Sequence, residues 1–328
     1  MGKSKSSRLA YYKRIFLAYL INKKSHLTFW HGKPEINDNV PINAIGEYYM
    51  PFLYKAHYQG PFDKEGIPML DYKGRVSKQY NPIAIAQYGL GHYNLYKRTG
   101  DKSHFNIFLK QADWMVNNLE NNIKGLYVWN HHFNWEYKKL LEAPWYSALS
   151  QGQGISLLIR AFKETKENKY LDASEKAFES FNYEISDGGV KHTDKNGFIW
   201  FEEVIIDPPT HILNGFLWAL WGIYDYYLWT KDIKAKELFN RSIETLKENL
   251  KFFDAGFWSL YELSGIKLKM LASSFYHSLH IVQLRIMFKL TKEKTFKNYA
   301  DKWNEYKRKR LNRYLALVYK ALFKLLYY

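Results

Sequence analysis

The sequence predicts a mainly α protein, an incomplete (α/α) toroid of about four helix pairs with β-hairpins at one rim. Two patterns predict it. An aromatic residue, two others and a threonine recur at Tyr96–Thr99, Phe162–Thr165, Tyr227–Thr230 and Phe288–Thr291, with the threonines 66, 65 and 61 residues apart. Spacing that even marks a structural repeat. Each recurrence also closes an apolar helical stretch and precedes a polar, amphipathic one, as an inner ring of helices inside an outer ring requires.

In chain order, the first helices of the four units read IAQYGLGHYNLY, GISLLIRAF, LNGFLWALWGIYDYY and HIVQLRIMF. They look short, aromatic and rich in small residues. The second helices, FNIFLKQADWMVNNL, YLDASEKAFESF, AKELFNRSIETLKENL and FKNYADKWNEYKRK, look longer and carry one apolar face each. Stretches 60–74, 125–139, 188–204 and 252–267 alternate aromatics with Gly, Asp and Asn turns, the signature of hairpins. Each hairpin stretch precedes a first helix, so the hairpins should gather at one end, and the site is expected there.

Composition narrows the partners. The chain has 328 residues, 47% hydrophobic, enough for a substantial core. It has no cysteine, which excludes disulfides and thiolate metal sites. Residues 1–34 carry eight Lys/Arg and no acid, and residues 306–328 carry seven and no acid, so 15 of the net +16 lies at the two ends. A nucleic-acid enzyme would spread its basic residues along a cleft, so no nucleic-acid partner is expected. The chain therefore reads as a basic amphipathic segment (1–34), a toroid domain (35–305) and a basic amphipathic helix (306–328). On that last helix Lys309, Arg313, Lys320 and Lys324 fall near one direction, an arrangement suited to an anionic membrane surface, with docking on the domain or a contact within a homodimer as the alternatives. No run of eighteen apolar residues exists, and Lys13 and Arg14 interrupt the first apolar stretch. The expected location is cytoplasmic, peripheral on the inner membrane face.

Chemistry concentrates between Ile199 and Tyr224, where adjacent Glu202 and Glu203 on a β-like run precede Pro208 and Pro209 and then an aromatic helix. Gln79, Tyr80, Asn81, Trp145, Tyr146, Ser147, Gln151, Asn214, Tyr261, Tyr276, His277 and His280 join them at first-helix entrances. Rings with amides, carboxylates and hydroxyls at one rim suit a carbohydrate groove. His131 and His132 are adjacent and face apart on a strand, and no zinc-helix pattern surrounds His277 and His280, so no metal site is expected.

The segments YNPIAIAQYGLGHY (80–93), APWYSALSQGQGISLLIRAF (143–162), WFEEV…PPTHILNGF (200–216) and FYHSLHIVQL (275–284) resemble the heparosan glucuronyl C5-epimerases, chiefly their α-helical C-terminal domain, over roughly residues 48–305. The resemblance implies cofactor-independent removal of the C5 proton of a glucuronate within a polymer and its return on the other face, giving iduronate. It implies Glu203 as carboxylate base, Tyr276 as the opposite-face acid/base and Tyr261 as the tyrosine at the substrate carboxylate. Asn214, with Trp218 four residues on, would bind substrate, as would Gln79, Tyr80, Asn81, Asn134, Glu136 and His277. Where animal relatives have tyrosine and arginine, this chain has Val204 and Ser264, so Lys267 or Lys269 is expected to supply the cation at the uronate. A uronate polysaccharide lyase and a non-catalytic glycan-binding or assembly protein remain the alternatives.

Overall fold

The computed structural model describes residues 29–327, apart from Lys73, Ile266 and Lys267. The chain divides into two compact units, one formed by Glu35–Lys247 and the other by Glu248 onward together with the described residues up to Pro34. Most of the basic segment 1–34 therefore lies outside the described residues, as does Lys267.

The first unit holds three helix pairs: α1 (Pro82–Thr99) with α2 (Lys102–Asn117), α3 (Ala148–Thr165) with α4 (Asn168–Phe178), and α5 (Leu213–Thr230) with α6 (Ile233–Asn249). Helices α1, α3 and α5 lie side by side, with α2 packed on α1 and α4 on α3. From Pro82 to Asn94 and from Ala148 to Ala161 every residue of α1 and α3 is buried, as expected of inner helices that are covered all round. Helix α2 buries only Phe108, Gln111, Ala112 and Met115, one face at helical spacing. Phe239 of α6 stacks on Tyr224 of α5, ring centres 4.6 Å apart. In the second unit α7 (Ser274–Thr291) pairs with α8 (Lys294–Arg308), and α9 (Arg310–Tyr327) follows against α8. The helix-pair architecture of the (α/α)-toroid class is thus the one found, with three pairs in the first unit and one in the second.

The lengths differ from expectation. All four first helices have 18 residues, whereas the second helices have 16, 11, 17 and 15. The sequence understates the inner helices because their glycines look like breakers. Gly152 and Gly222 instead mark the closest approach of α3 and α5: a Cβ on Gly222 would lie 2.3 Å from the Gly152 Cα. Near this crossing Arg160 and Asp225 form a wholly buried pair (Nη1–Oδ2 2.6 Å), completed by the Tyr49 hydroxyl donating to Asp225 and by Arg160 donating to the Gly46 and Ser156 carbonyls.

The threonine repeat is a helix-to-helix turn. Thr99, Thr165, Thr230 and Thr291 are each the last residue of a first helix, and each Oγ1 donates to the carbonyl four residues back at 2.8–2.9 Å. The same oxygen accepts from the amide two residues on, that of Asp101, Glu167, Asp232 or Glu293, at 3.1–3.2 Å. Between them stands a left-handed residue, Gly100, Lys166, Lys231 or Lys292 (φ 61–72°), which ends the helix. One side chain thus satisfies groups on both sides of the corner, which is why the motif recurs.

The expected hairpins are present as two-stranded antiparallel ribbons: β1 (Met69–Asp71) with β2 (Lys78–Tyr80), β3 (Glu120–Asn121) with β4 (Tyr127–Val128), β5 (Trp135–Glu136) with β6 (Leu140–Leu141), and β7 (Lys191–Thr193) with β8 (Ile199–Phe201). In the second unit, the described residues from 252 on form isolated bridges, Asp254 to Ser259 and Leu260 to Leu271. No helix among the described residues is long and apolar enough to cross a membrane.

Candidate active site

Strand β8 is buried over its whole length and delivers the chain to Glu202 and Glu203, which stand just past the strand rather than on it. The reason is local. The Glu202 amide donates to the Val190 carbonyl, and its own carbonyl accepts from the Ala148 amide at the start of α3, both at 2.9 Å. These bonds fasten Glu202 between the hairpin and α3 and leave the next residues free to turn.

The two carboxylates then take different surroundings. Glu202 is fully buried; its Oε2 accepts from the amides of Thr210 and His211, and its Oε1 lies 2.6 Å from His211 Nδ1. His211 is held in turn by stacking on Trp200, centres 4.4 Å apart. Glu203 keeps a margin of exposed surface, while its carboxylate accepts from Asn214 Nδ2 at 3.2 Å. Gly215 makes this possible, since a Cβ there would lie 2.2 Å from Glu203 Oε2. Helices α1, α3 and α7 begin with a side-chain cap, from Asn81, Ser147 and Ser273, but α5 has none from its N-cap Ile212. The Glu203 carboxylate occupies the space beside that first turn instead.

Burial pushes the Glu203 carboxyl up to about 8; the Asn214 hydrogen bond opposes the rise and the charge of Glu202 adds to it. A carboxylate of that basicity exchanges protons near neutral pH, as a general base must. A cavity of about 380 Å³ opens along the following residues, lined by Ile205 and Ile206 with Lys139, Leu141, Glu142, Trp145 and Tyr146. The Lys139 ammonium donates to the Asp207 carbonyl, tying the β5–β6 hairpin to this segment.

The other expected residues are placed variously. In the first unit, Asn214 and Trp218 are buried one turn apart on α5, and Asn134 and Glu136 are exposed on the β5–β6 hairpin, where Asn134 accepts from the Ala143 amide. Tyr80 is exposed and donates to Asp63, and Gln79 donates to the Val76 carbonyl. Asn81, expected at the sugar, is spent on capping α1: its Oδ1 accepts from Ile83 and Ala84 and its Nδ2 donates to Tyr72. Ser147 and Gln151 are likewise buried and committed, Ser147 as a cap and Gln151 to Trp129, Tyr127, Ala177 and Ser180. His131 is buried and stacked on Trp145 while His132 is exposed, so the two do face apart.

In the second unit Tyr261 and Tyr276 are brought together, half-buried, with ring centres 4.9 Å apart. Tyr276 lies in the first turn of α7, where its amide donates to the Ser273 cap. His277, expected to face substrate, is in the core instead: Nδ1 lies 2.8 Å from Ser259 Oγ, Nε2 3.0 Å from the Trp303 carbonyl, and the ring stacks on Trp258. His280 is buried beside it. Lys269 is exposed in the loop before α7, and Ser264 donates to the buried Glu262.

Sequence reasoning missed two partners. Gly215 could have been found as a glycine set inside the first turn of a helix directly beside a candidate carboxylate. Nothing in the pattern marks His211 as the partner of Glu202, because the pairing depends on the loop that carries both prolines.

Residues 121–305 match the family model described as D-glucuronyl C5-epimerase C-terminus. That range contains Glu203, Asn214, Tyr261 and Tyr276. The D-glucuronyl C5-epimerase of Caenorhabditis elegans is 34% identical over 220 residues, covering 62% of this chain and 35% of the relative. An uncharacterized protein of Methanocaldococcus jannaschii is 26% identical over 200 residues, covering 60% of this chain and 63% of that one. This chain therefore matches about a third of the length of the nematode relative and under two thirds of the archaeal one. Among solved structures, the cellobiose 2-epimerase from Spirochaeta thermophila is similar over 91% of this chain and 85% of that chain, at 12% identity and a TM-score of 0.49.

Proposed function

Because the chain belongs to the D-glucuronyl C5-epimerase C-terminal family, we propose that it is a uronate C5-epimerase, acting on glucuronate residues of a heparosan-like or other surface polysaccharide. The observation that carries this reading is the Glu203 carboxyl, raised by burial to about 8 and held by Asn214 against the open space of Gly215.

The chemistry asks for such a group. The proton at C5 is α to the C6 carboxylate and only weakly acidic, so its removal needs a positioned base and a site that stabilises the enediolate-like intermediate. Ionised Glu203 takes the proton, leaving the electron pair delocalised into the C6 carboxylate. A proton delivered to the opposite face restores C5 with inverted configuration and converts D-glucuronate to L-iduronate with no net gain or loss of atoms. By the resemblance of their segments to the family, Tyr276 is proposed for that second proton and Tyr261 and Lys269 for the substrate carboxylate. Trp145, Tyr146 and the cavity beside Ile205 and Ile206 offer aromatic and apolar walls of a size suited to a sugar unit.

Incubation with glucuronate polymers in heavy water tests the reading. Deuterium should enter at C5 and iduronate should accumulate, and Glu203→Gln should abolish both while polymer binding survives. Absorbance from a 4,5-unsaturated uronate would reassign the protein as a lyase. Polymer binding without exchange in the parent protein would reassign it as a glycan-binding protein.

A further inference from the structure

His211 and Asn214 flank the uncapped start of α5, and each holds one of the two adjacent carboxylates: His211 lies 2.6 Å from Glu202, and Asn214 donates to Glu203. Glu202 also accepts two backbone amides, so it serves as an acceptor throughout and the ring hydrogen of His211 sits on Nδ1. In the neutral ring Nε2 then keeps the lone pair. Nε2 has no hydrogen bond among the described residues and is open to solvent, on a side chain 15% exposed. Stacking on Trp200 at 4.4 Å and on His192 at 5.5 Å fixes the plane of the ring. A carboxylate on one imidazole nitrogen and an open second nitrogen is the arrangement by which histidine carries protons. The preceding Thr210, whose amide also binds Glu202, has a wholly buried hydroxyl with no partner among the described residues, a group suited to holding a bridging water.

The chemistry leaves a proton to be disposed of. If the protein is the C5-epimerase proposed above, on which this inference rests, each forward turnover ends with the C5 proton on Glu203. Burial raises that carboxyl to about 8, so it keeps the proton at neutral pH. Glu203 has to release it before acting again.

We propose that His211, oriented by Glu202, is the proton outlet of Glu203: the proton passes from Glu203 through water to His211 Nε2 and from there to solvent. Only bonds to the proton change. Glu203 returns to carboxylate, His211 is briefly an imidazolium against the Glu202 carboxylate, and a solvent base takes the proton from Nε2.

This resetting step follows product release, so it limits kcat without entering kcat/KM. His211→Asn keeps a donor for Glu202 but no group that can carry a proton. Assayed against a panel of glucuronate polymers, heparosan among them, its kcat for epimerisation should fall about tenfold or more with kcat/KM unchanged, and added imidazole should restore it. A role in folding alone would produce neither the split nor the rescue. His192→Asn, which removes a stacking neighbour and leaves the outlet in place, should keep the kcat of the parent. His211→Gln, longer by one carbon, repeats the test if His211→Asn lowers the melting temperature. An active parent beside His211 variants of equal kcat would overturn the outlet alone, as would a loss that imidazole does not repair or that lowers kcat/KM equally. A parent inert on every polymer of the panel would overturn the epimerase reading and the outlet with it.

Discussion

Gly215 provides the space that the Glu203 carboxylate fills: a Cβ on Gly215 would stand 2.2 Å from Oε2 and 2.6 Å from the Glu203 Cβ. The carboxylate end of this neighbour can turn away, whereas its Cβ moves only with the backbone of residue 203, which must shift slightly. Gly222, on the same helix, faces backbone instead, with the Gly152 carbonyl oxygen also at 2.3 Å. Gly215→Ala should therefore fold, at a cost of about 1–3 kcal/mol, yet lose about 100-fold or more in kcat because a displacement near 1 Å misaligns the base. Gly222→Ala should lose the fold before the activity. Thermal melts and deuterium exchange measured side by side separate the two, and equal effects on both properties would contradict the account.

The basicity of Glu203 sets a pH profile. As a base it works ionised, so kcat/KM for C5 exchange should climb with pH and level off above a midpoint near the value of about 8 that burial gives its carboxyl. An ordinary exposed glutamate would place the midpoint near 4.3. A rate already flat from pH 5 to 7 would remove Glu203 as the base.

The same shift predicts a stability signature. The folded pKa lies above the unfolded one, so the stability this group contributes is fully present below the unfolded value and is lost as pH rises through about 8. Glu203→Gln carries no such loss. Its melting temperature should rise relative to the parent between roughly pH 4 and pH 8, reaching a gain on the order of a few kcal/mol, and the gap should then stay constant. Differential scanning calorimetry across that range reads it, and a gap that narrows with pH would reverse the assignment.

The repeat was legible because each corner uses one local device, and local devices leave marks in sequence. Thr165 bonds backward to Ala161 and forward to Glu167 within a span of seven residues. The hairpins were legible for the same reason, through turn residues such as Gly197 (φ 81°) between two short strands. What escaped depends on partners far apart in the chain. Arg160 reads as one cation in an apolar helix until Asp225 arrives from 65 residues away. Asn81 and His277 sit in segments that resemble substrate-binding motifs; the capping by Asn81 is local, an Asn directly before Pro82, whereas only tertiary contacts show His277 filling a core. Glu203 was legible as a candidate, and neighbours on a β-like run face apart, but the different surroundings of the two carboxylates were not, because they arise only when α3 and α5 are in place.

The buried Arg160–Asp225 pair predicts an asymmetric mutational response. Asp225→Ala strands a guanidinium that is 1% exposed and should cost about 3–5 kcal/mol. Replacing both partners by apolar residues, as in Arg160→Met/Asp225→Leu, should recover most of that loss, because no unpaired charge remains. Urea unfolding of the single and double variants tests this; a double variant less stable than the single would show that the hydrogen bonds to Gly46, Ser156 and Tyr49 matter more than the ion pair.

The four helix corners predict a stabilising substitution. Lys292 adopts φ 61° and ψ 10° at the end of α7, a left-handed conformation that costs a residue with a Cβ roughly 1–2 kcal/mol. Gly100 serves the same corner after α1 without that strain, and a Cβ added there would meet nothing within 4 Å. Lys292→Gly should therefore stabilise the protein by about 0.5–1 kcal/mol after the greater freedom of glycine in the unfolded chain is subtracted. Gly100→Ala should destabilise it by a similar amount through backbone strain alone. Amide hydrogen exchange at the ends of α7 and α1 localises each effect, with slower exchange expected near Lys292→Gly and faster exchange near Gly100→Ala. A loss of stability in Lys292→Gly would mean that the lysine ammonium at the helix C-terminus, rather than backbone strain, governs the corner.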